Sequence, residues 1–430
     1  MRILIKNIIL DGKEMDIFIE GNKIKKIGKN LNLRADKKIY GKGEKAALPG
    51  LINCHTHSAM ILFRGYGDDL PLKEWLIKKI WPLEQKITEE DVYWGTKLAC
   101  IEMIKTGTTT FNDMYWFGEA VIDAVKEMGL RTVVGPLIID FDKKRGSLEN
   151  FEKIYQKFKS EKSDLVRLAV APHSIYGVSK ENLVWAKDFA KKHNLLLHIH
   201  LSETEEEVKG CLKLAKLRPV EYLEKIGFLG ENCILAHSIW LNEKEIEILA
   251  KHKSNVVYNP CSNMKLASGI FPYKKLKEAG VNITLGTDGA ASNNSLDMFF
   301  EMKFGSLLQK IKEMDPTIAP AKEIFEMATK NGVKALKIDT GEIKDYDPPT
   351  ALPTFGWAPG KLADLILINL NQITFHPGHN LISDIVYSAK GDCVSDVICN
   401  GKILMRDRKI EGEEKIKKEA TKRAKNLTKL

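Results

Sequence analysis

The chain has 430 residues, 44% hydrophobic and 29% charged, with a mean hydropathy of −0.22 and a formal net charge of +9. That length suits one large domain with a smaller companion, and no apolar run is long enough to ask for a membrane. The charge does not describe a nucleic-acid surface: residues 402–430 hold eleven Lys/Arg against five Asp/Glu, six of the nine net charges, with no interleaved aromatics.

In chain order, the apolar start MRILIKNIILDG is cut short by Asp11, Lys13 and Glu14, so no signal-peptide pattern forms and a cytoplasmic location is expected. Residues 1–50 read as short strands, ILIKNIIL and MDIFIEGNKIKKIG, with Gly21-Asn22 at a hairpin position. From 51 to 344, apolar runs alternate with helical stretches such as 88–105, 117–128, 178–193 and 242–252. The strand candidates are 47–53, 108–113, 130–139, 165–172, 195–201, 233–238, 255–260 and 282–288. Continuous apolar strands alternating with helices predict an α/β fold, a (β/α)8 barrel. A doubly wound sheet would place G-x-G-x-x-G after its first strand, whereas this strand runs into N-C-H-T-H.

Residues 343–360 are Pro-rich and predict a surface loop. The style of the N-terminus then returns in KLADLILINL (361–370) and SDVICNGKILMRD (395–407), the latter with Asn400-Gly401 at a hairpin. Segments 1–50 and 345–415 are therefore expected to make one small composite β-sandwich domain, leaving 416–430 as a basic helix or tail. The cysteines at 54, 100, 211, 233, 261, 393 and 399 are scattered without a C-x-x-C pair, which argues against disulfides and against a cysteine-based zinc site.

Active sites of such barrels lie where the strands end. His55 and His57 follow the first strand, Asn112 and Asp113 end the second, and His173 follows the fourth. His198 and His200 end the fifth with Glu203 just beyond, His237 ends the sixth, Asn259 the seventh and Asp288 the eighth. Side chains two apart in extended chain share a face, so His55 and His57 can reach one ion, and His200 and Asp288 converge on the same mouth. Imidazoles with a carboxylate suit Zn²⁺, with Fe²⁺ and Mn²⁺ as the other candidates, and leave a position for water. His198 points to the same side one layer deeper and is read as a supporting residue.

The motifs PGLINCHTHSAM (49–60), FRGYGDDLPLKEWL (63–76), GTTTFNDMY (107–115), HLSET (200–204) and GTDGAASNNSLDM (286–298) resemble the amidohydrolase superfamily. More narrowly, residues 1 to about 410 resemble the 5-methylthioadenosine/S-adenosylhomocysteine deaminase family, including its archaeal 5′-deoxyadenosine deaminase branch. The resemblance implies one metal ion on His55, His57, His200 and Asp288. It implies a mononuclear site, since APHSIYG (171–177) lacks the strand-4 lysine of binuclear relatives. It implies Glu84 as acceptor of the ribose hydroxyls and His173 as a nucleoside-binding histidine, with Trp75, Trp81 and Leu83 as an apolar lid.

The implied reaction is hydrolytic deamination of the adenine ring in 5′-modified adenosines, with ammonia released. Glu203 would protonate the ring nitrogen and carry a proton to the departing amine, His237 would stabilise the oxyanion, and Asp288 would take the proton of the attacking water. Another reaction of the same fold, guanine deamination or ring dechlorination, is the alternative. The zinc deaminases built on P-C-x-x-C are excluded, because PCSNM (260–264) lacks the second cysteine. Some family members bind a substrate carboxylate with arginines after strand three. Here only Arg145, Lys143 or Lys144 could serve, which shifts weight toward small 5′ groups. The expected partner is a small nucleoside, not a nucleic acid or membrane, and relatives of this kind suggest a homo-oligomer.

Overall fold

The computed structural model describes residues 1–160, 163–338 and 360–429. The predicted Pro-rich loop, Gly360 apart, and the predicted boundary at 344/345 fall outside the described residues. The N-terminal strands are β1 (Arg2–Leu10), β2 (Lys13–Glu20), β3 (Lys23–Gly28), β4 (Lys37–Tyr40) and β5 (Lys45–Pro49). The barrel strands follow: β6 (Leu51–Thr56), β7 (Thr108–Tyr115), β8 (Arg131–Ile138), β9 (Val166–Pro172), β10 (Leu196–Leu201), β11 (Cys233–His237), β12 (Asn255–Tyr258) and β13 (Asn282–Leu285). Last come β14 (Leu365–Asn369), β15 (Val394–Cys399) and β16 (Lys402–Met405).

Strands β6 to β13 form one eight-stranded sheet in sequential order, parallel wherever neighbours pair. Contacts between β13 and β6 draw the sheet into a nearly closed barrel. The seam just beyond β13 is made by polar groups: Asp288 N donates to His55 O at 2.9 Å, and Asn53 exchanges two hydrogen bonds with Thr287. Residues of β6, β7, β8, β10, β11 and β12 are buried throughout, as parallel strands covered on both faces must be. Inside, Ile52, Cys54, Val133, Ala169, Leu196, Ile234 and Val257 fill the barrel, with Ala335 and Leu336 packed against them.

The chain ends build the second sheet, ordered β16-β15-β14-β5-β1-β2-β3 with β4 beside β1. Its inner strands bury both faces, and the period of two decides which neighbour each residue meets. Leu365, Leu367 and Ala47 join the small sheet's own core, while Ile366, Ile368, Ala46 and Leu48 pack with the barrel's outer core. At the β15–β16 hairpin, Asn400 (φ 49°) and Gly401 (φ 69°) are both left-handed, as a two-residue turn of this hand requires. A Cβ at Gly401 would stand 1.8 Å from Gly21 O, so the two predicted hairpins abut.

The predicted first strand, 47–53, is corrected: it is the end of one strand and the start of another, β5 in the small sheet and β6 in the barrel. Gly50 marks the crossing, because a Cβ there would stand 2.1 Å from Thr109 Oγ1. The predicted helices appear as Glu89–Lys105, Gly118–Met128, Lys180–His193 and Glu243–Lys251. The basic terminal stretch forms the helix Glu413–Thr428, which buries Ile416, Ala420 and Leu427 and packs against Glu89–Lys105.

Candidate functional site at the barrel mouth

The predicted strand-end side chains meet at one place. Ligating atoms of His55, His57 and His200 lie within 4.8 Å of one another, and so do those of His55, His237 and Asp288. Main-chain carbonyls orient two of the rings: His57 Nδ1 donates to Met114 O at 2.6 Å and His200 Nδ1 to His173 O at 2.7 Å. A carbonyl only accepts, so Nδ1 of each ring carries a proton and both Nε2 atoms are turned inward, 3.2 Å apart. His55 Nε2 is buried without a hydrogen-bond partner. An unpartnered buried nitrogen beside two further converging imidazoles is costly unless a cation sits among them, and the set fits one divalent ion.

Asp288 supplies the negative charge. Its Oδ1 lies 3.2 Å from His57 Nε2 and 3.4 Å from His55 Nε2. Its Oδ2 accepts hydrogen bonds from Ser262 Oγ at 2.6 Å and Ser292 Oγ at 2.8 Å. Burial works upward on this carboxyl, but the contacts with His55 and His57 hold it well below the usual range. The histidines split: burial pushes His55 down to about 3, whereas against burial Asp288 raises His57 to about 9. His198 lies beneath, fully buried, with Nε2 2.8 Å from His55 Nδ1 and Nδ1 3.2 Å from Asn112 Nδ2.

Glu203 and His237 stand on the other flank, Oε2 to Nε2 at 3.8 Å. His237 Nδ1 donates to Asn263 Oδ1 at 2.9 Å, which leaves Nε2 facing the site. Burial raises the Glu203 carboxyl. The backbone is left-handed at Ser202, His237, Ser238 and Asp288. Non-glycine residues in that region cost on the order of 1–3 kcal/mol each and gather where side chains must be aimed.

A cavity opens beside these groups. Glu84 and His173 both line it, with Trp75, Trp81, Trp116, Phe141 and Tyr176 among its apolar walls. Burial raises Glu84 and lowers His173 to about 3. Of the expected lid residues, Trp75 and Trp81 reach the cavity, while Leu83 is buried and does not line it. Arg145, Lys143 and Lys144 do not line it either. Arg145 stacks on the Trp116 ring at 4.5 Å, donates to Asp142 Oδ2 at 2.7 Å, and donates to Glu84 O at 2.9 Å. Cys54 is buried, its thiol pushed up to about 12 by burial, as befits a packing residue.

Sequence reading missed Glu207. Its carboxylate accepts Ser202 N and Glu203 N, both at 2.9 Å, and so fixes the turn that presents Glu203. The signal was the capping pattern T-E-E-E at 204–207, since Thr204 caps the helix Glu205–Ala215 and Glu207 occupies its third position. Ser262, Ser292 and Asn263 were also missed, and short polar residues in loops carry no such pattern.

The amidohydrolase family model matches residues 46–404. The chain is 47% identical over 426 residues to a 5′-deoxyadenosine deaminase of Methanocaldococcus jannaschii, covering 97% of this chain and 98% of the relative. It is 46% identical over 414 residues to a 5-methylthioadenosine/S-adenosylhomocysteine deaminase of Thermococcus sibiricus, covering 94% of each. Among solved structures, an adenosine deaminase from Xanthomonas campestris with bound zinc superposes with a TM-score of 0.91 at 30% identity, covering 100% of this chain and 98% of that one. An atrazine chlorohydrolase from Arthrobacter aurescens, 20% identical with a TM-score of 0.86 and covering 98% of this chain and all of its own, shares the fold. The mouth geometry, the barrel and these matches agree: the chain belongs to the amidohydrolase family.

Proposed function

We propose that the protein is a deaminase of 5′-modified adenosines: 5′-deoxyadenosine, 5′-methylthioadenosine, S-adenosylhomocysteine and adenosine itself, each converted to its inosine analogue with release of ammonia. The observation that carries this reading is the buried pair Glu203–His237 on the flank of a cation-fitting cluster, beside a cavity that also holds Glu84 and His173. Among the described residues no lysine or arginine lines that cavity itself, while Lys73, Lys180 and Lys265 line the groove that adjoins it at Trp81, Tyr176 and Glu203.

His55, His57, His200 and Asp288 would hold one divalent ion, and we assign it as zinc. When bound, the ion supplies a hydroxide nucleophile at neutral pH. Glu203, whose carboxyl burial raises, donates a proton to the ring nitrogen, then takes the proton of the C6 hydroxyl as the carbonyl forms and passes it to the departing amine. His237 Nε2 faces the developing oxyanion, its ring fixed by Asn263. Asp288 Oδ1 takes the proton of the attacking water while its Oδ2 stays with the two serines. Glu84 accepts the ribose hydroxyls and His173 holds the nucleoside. The apolar walls of Trp75, Trp81 and Phe141 shield the adenine from bulk water.

An ultraviolet assay of adenosine-to-inosine conversion across 5′-substituted adenosines, with metal analysis of the same sample, tests this. Turnover of 5′-deoxyadenosine with about one zinc per chain is the expected result. A metal-loaded protein that changes none of these substrates would overturn it.

We further assign the enzyme to the cytoplasm as a homo-oligomer. Free thiols at all seven cysteines suit a reducing compartment. On the helix Met298–Glu313 and its cap, Phe304, Leu307, Ile311 and Met314 form an exposed apolar row suited to self-association. Light scattering at micromolar concentration checks the mass.

A further inference from the structure

Behind the mouth lies a carboxylate with no role in the chemistry above. Glu301, in the first turn of the helix Met298–Glu313, is 0% exposed, and among the described residues no lysine or arginine is seen to pair with it. A buried carboxyl without a cation is expensive and is tolerated where its oxygens are filled by donors. Oε2 accepts Cys261 N at 3.1 Å and Oε1 accepts Asn293 Nδ2 at 2.6 Å.

Those donors sit next to the groups that hold Asp288. Cys261 precedes Ser262, in the helix that follows β12, and Asn293 follows Ser292, in the loop after β13. Ser262 and Ser292 each donate to Asp288 Oδ2, and their hydroxyls are 3.2 Å apart. Asn293 Nδ2 also reaches Thr287 O at 2.7 Å, so one amide ties Glu301 to the residue before Asp288. A single side chain thus staples together the two segments that supply both serine hydroxyls. With Oδ2 doubly held, Asp288 keeps Oδ1 turned toward His55 and His57.

We propose that Glu301 is a positioning residue for Asp288, acting through Ser262 and Ser292. It touches neither substrate nor metal; it fixes the spacing of the two hydroxyls and through them the direction of the carboxylate. The inference rests on reading Asp288 as a metal ligand. Glutamine at 301 preserves volume but offers one good acceptor where two donors wait, so one tie is lost.

The test is a cycle on the metal-loaded full-length protein with Glu301→Gln, the double variant Ser262→Ala/Ser292→Ala, and all three together. Two readings are taken: zinc retained after a timed chelator challenge, and kcat and KM for 5′-deoxyadenosine. Glu301→Gln is expected to lose zinc about tenfold faster and to lower kcat by a similar factor with KM unchanged, the scale seen when outer partners of metal ligands are removed. The serine double variant should lose more, and adding Glu301→Gln to it should change nothing further, because residues in one network are not additive. Additive losses, or a Glu301→Gln protein with parental zinc retention, would overturn the proposal. Asn293→Ala cuts one tie and leaves the carboxyl in place; if Glu301→Gln does not fold, parental zinc retention in Asn293→Ala overturns it equally. A parent that binds no zinc defeats the ligand reading itself, and a parent that holds zinc but deaminates nothing defeats only the substrate reading.

Discussion

At the foot of the barrel, Arg131 gives its guanidinium to Asp364 Oδ2 at 2.8 Å and Oδ1 at 3.3 Å, to Asn400 Oδ1 at 3.2 Å and to Asp164 O at 2.5 Å. At the mouth, His57 and His200 turn their Nε2 atoms to each other at 3.2 Å, and Asp113 Oδ2, Ser202 Oγ and Asn259 Oδ1 are buried without partners. Both regions are polar and buried. The Arg131 clasp satisfies its charged groups and so holds the small sheet to the barrel, although Thr108 Oγ1 and Thr132 Oγ1 nearby are buried without partners. The mouth leaves donor and acceptor atoms open, which is the condition for binding something from outside. Burial alone therefore does not distinguish a structural polar cluster from a functional one; the convergence of several metal-ligating atoms on one point does.

The sharpest way to break this comparison is to change one group at each end. Glu203→Gln should retain metal yet lose turnover by about 10²-fold or more, because it removes a proton donor without disturbing the ion cluster. Parental kcat in that variant would withdraw Glu203 from its role. Arg131→Ala should do the reverse. It strands Asp364 in a mostly buried position and should cost about 3 kcal/mol of unfolding free energy, with kcat per folded molecule near the parent's. Urea melts combined with active-site titration separate the two effects.

A third experiment concerns pH. Burial pushes Glu207 up to about 7, above its value in an unfolded chain. Between about 4.5 and 7 the folded protein therefore holds a proton that the unfolded chain has released. Folding stability contributed by this group is present at low pH and is lost as pH rises through that window. Glu207→Gln should flatten the fall between pH 5 and pH 8 by on the order of 2 kcal/mol; an unchanged slope by chemical denaturation would assign the pH dependence elsewhere. The smallest effect is expected far from either end. Asn242 caps the helix Glu243–Lys251, accepting from Glu245 N at 2.9 Å, and Asn242→Ala should cost about 1 kcal/mol with no change in kcat or metal content. A kinetic defect there would mean that the mouth is less insulated than its geometry indicates.

Much of this was legible in the sequence, and for identifiable reasons. His55, His57, His200, His237 and Asp288 were readable because parallel strands announce themselves as apolar runs, and a polar residue at the end of such a run has one place to go. The double strand hidden in 45–56 was not, since one apolar stretch serves two sheets and only the Gly50–Thr109 approach separates them. Glu207 hid within an acidic run whose neighbours Glu205 and Glu206 face solvent, and hydrophobic periodicity is silent about which carboxyl turns inward. Arg145 was readable as a cation near the site but not as a strut, because its partners Trp116 and Glu84 come from distant stretches of chain. Ser262, Ser292 and Glu301 share that limit. Ser262 reaches Asp288 across 26 residues and Glu301 reaches Cys261 across 40, and even the short Ser292–Asp288 link, four residues long, lies in a loop without a periodic pattern.

The small sheet also sets the order in which this molecule can be finished. Strand β5 pairs with β14, and the Arg131–Asp364 clasp joins residues 233 positions apart. During synthesis the first fifty residues can form hairpins, but their sheet stays open until the last strands leave the ribosome. An apolar edge of β5 is exposed for that whole interval. Pairings of such long range fold slowly and leave edges available to other chains, so yield in a heterologous host should depend on temperature and chaperones more than the stability of the finished fold would suggest.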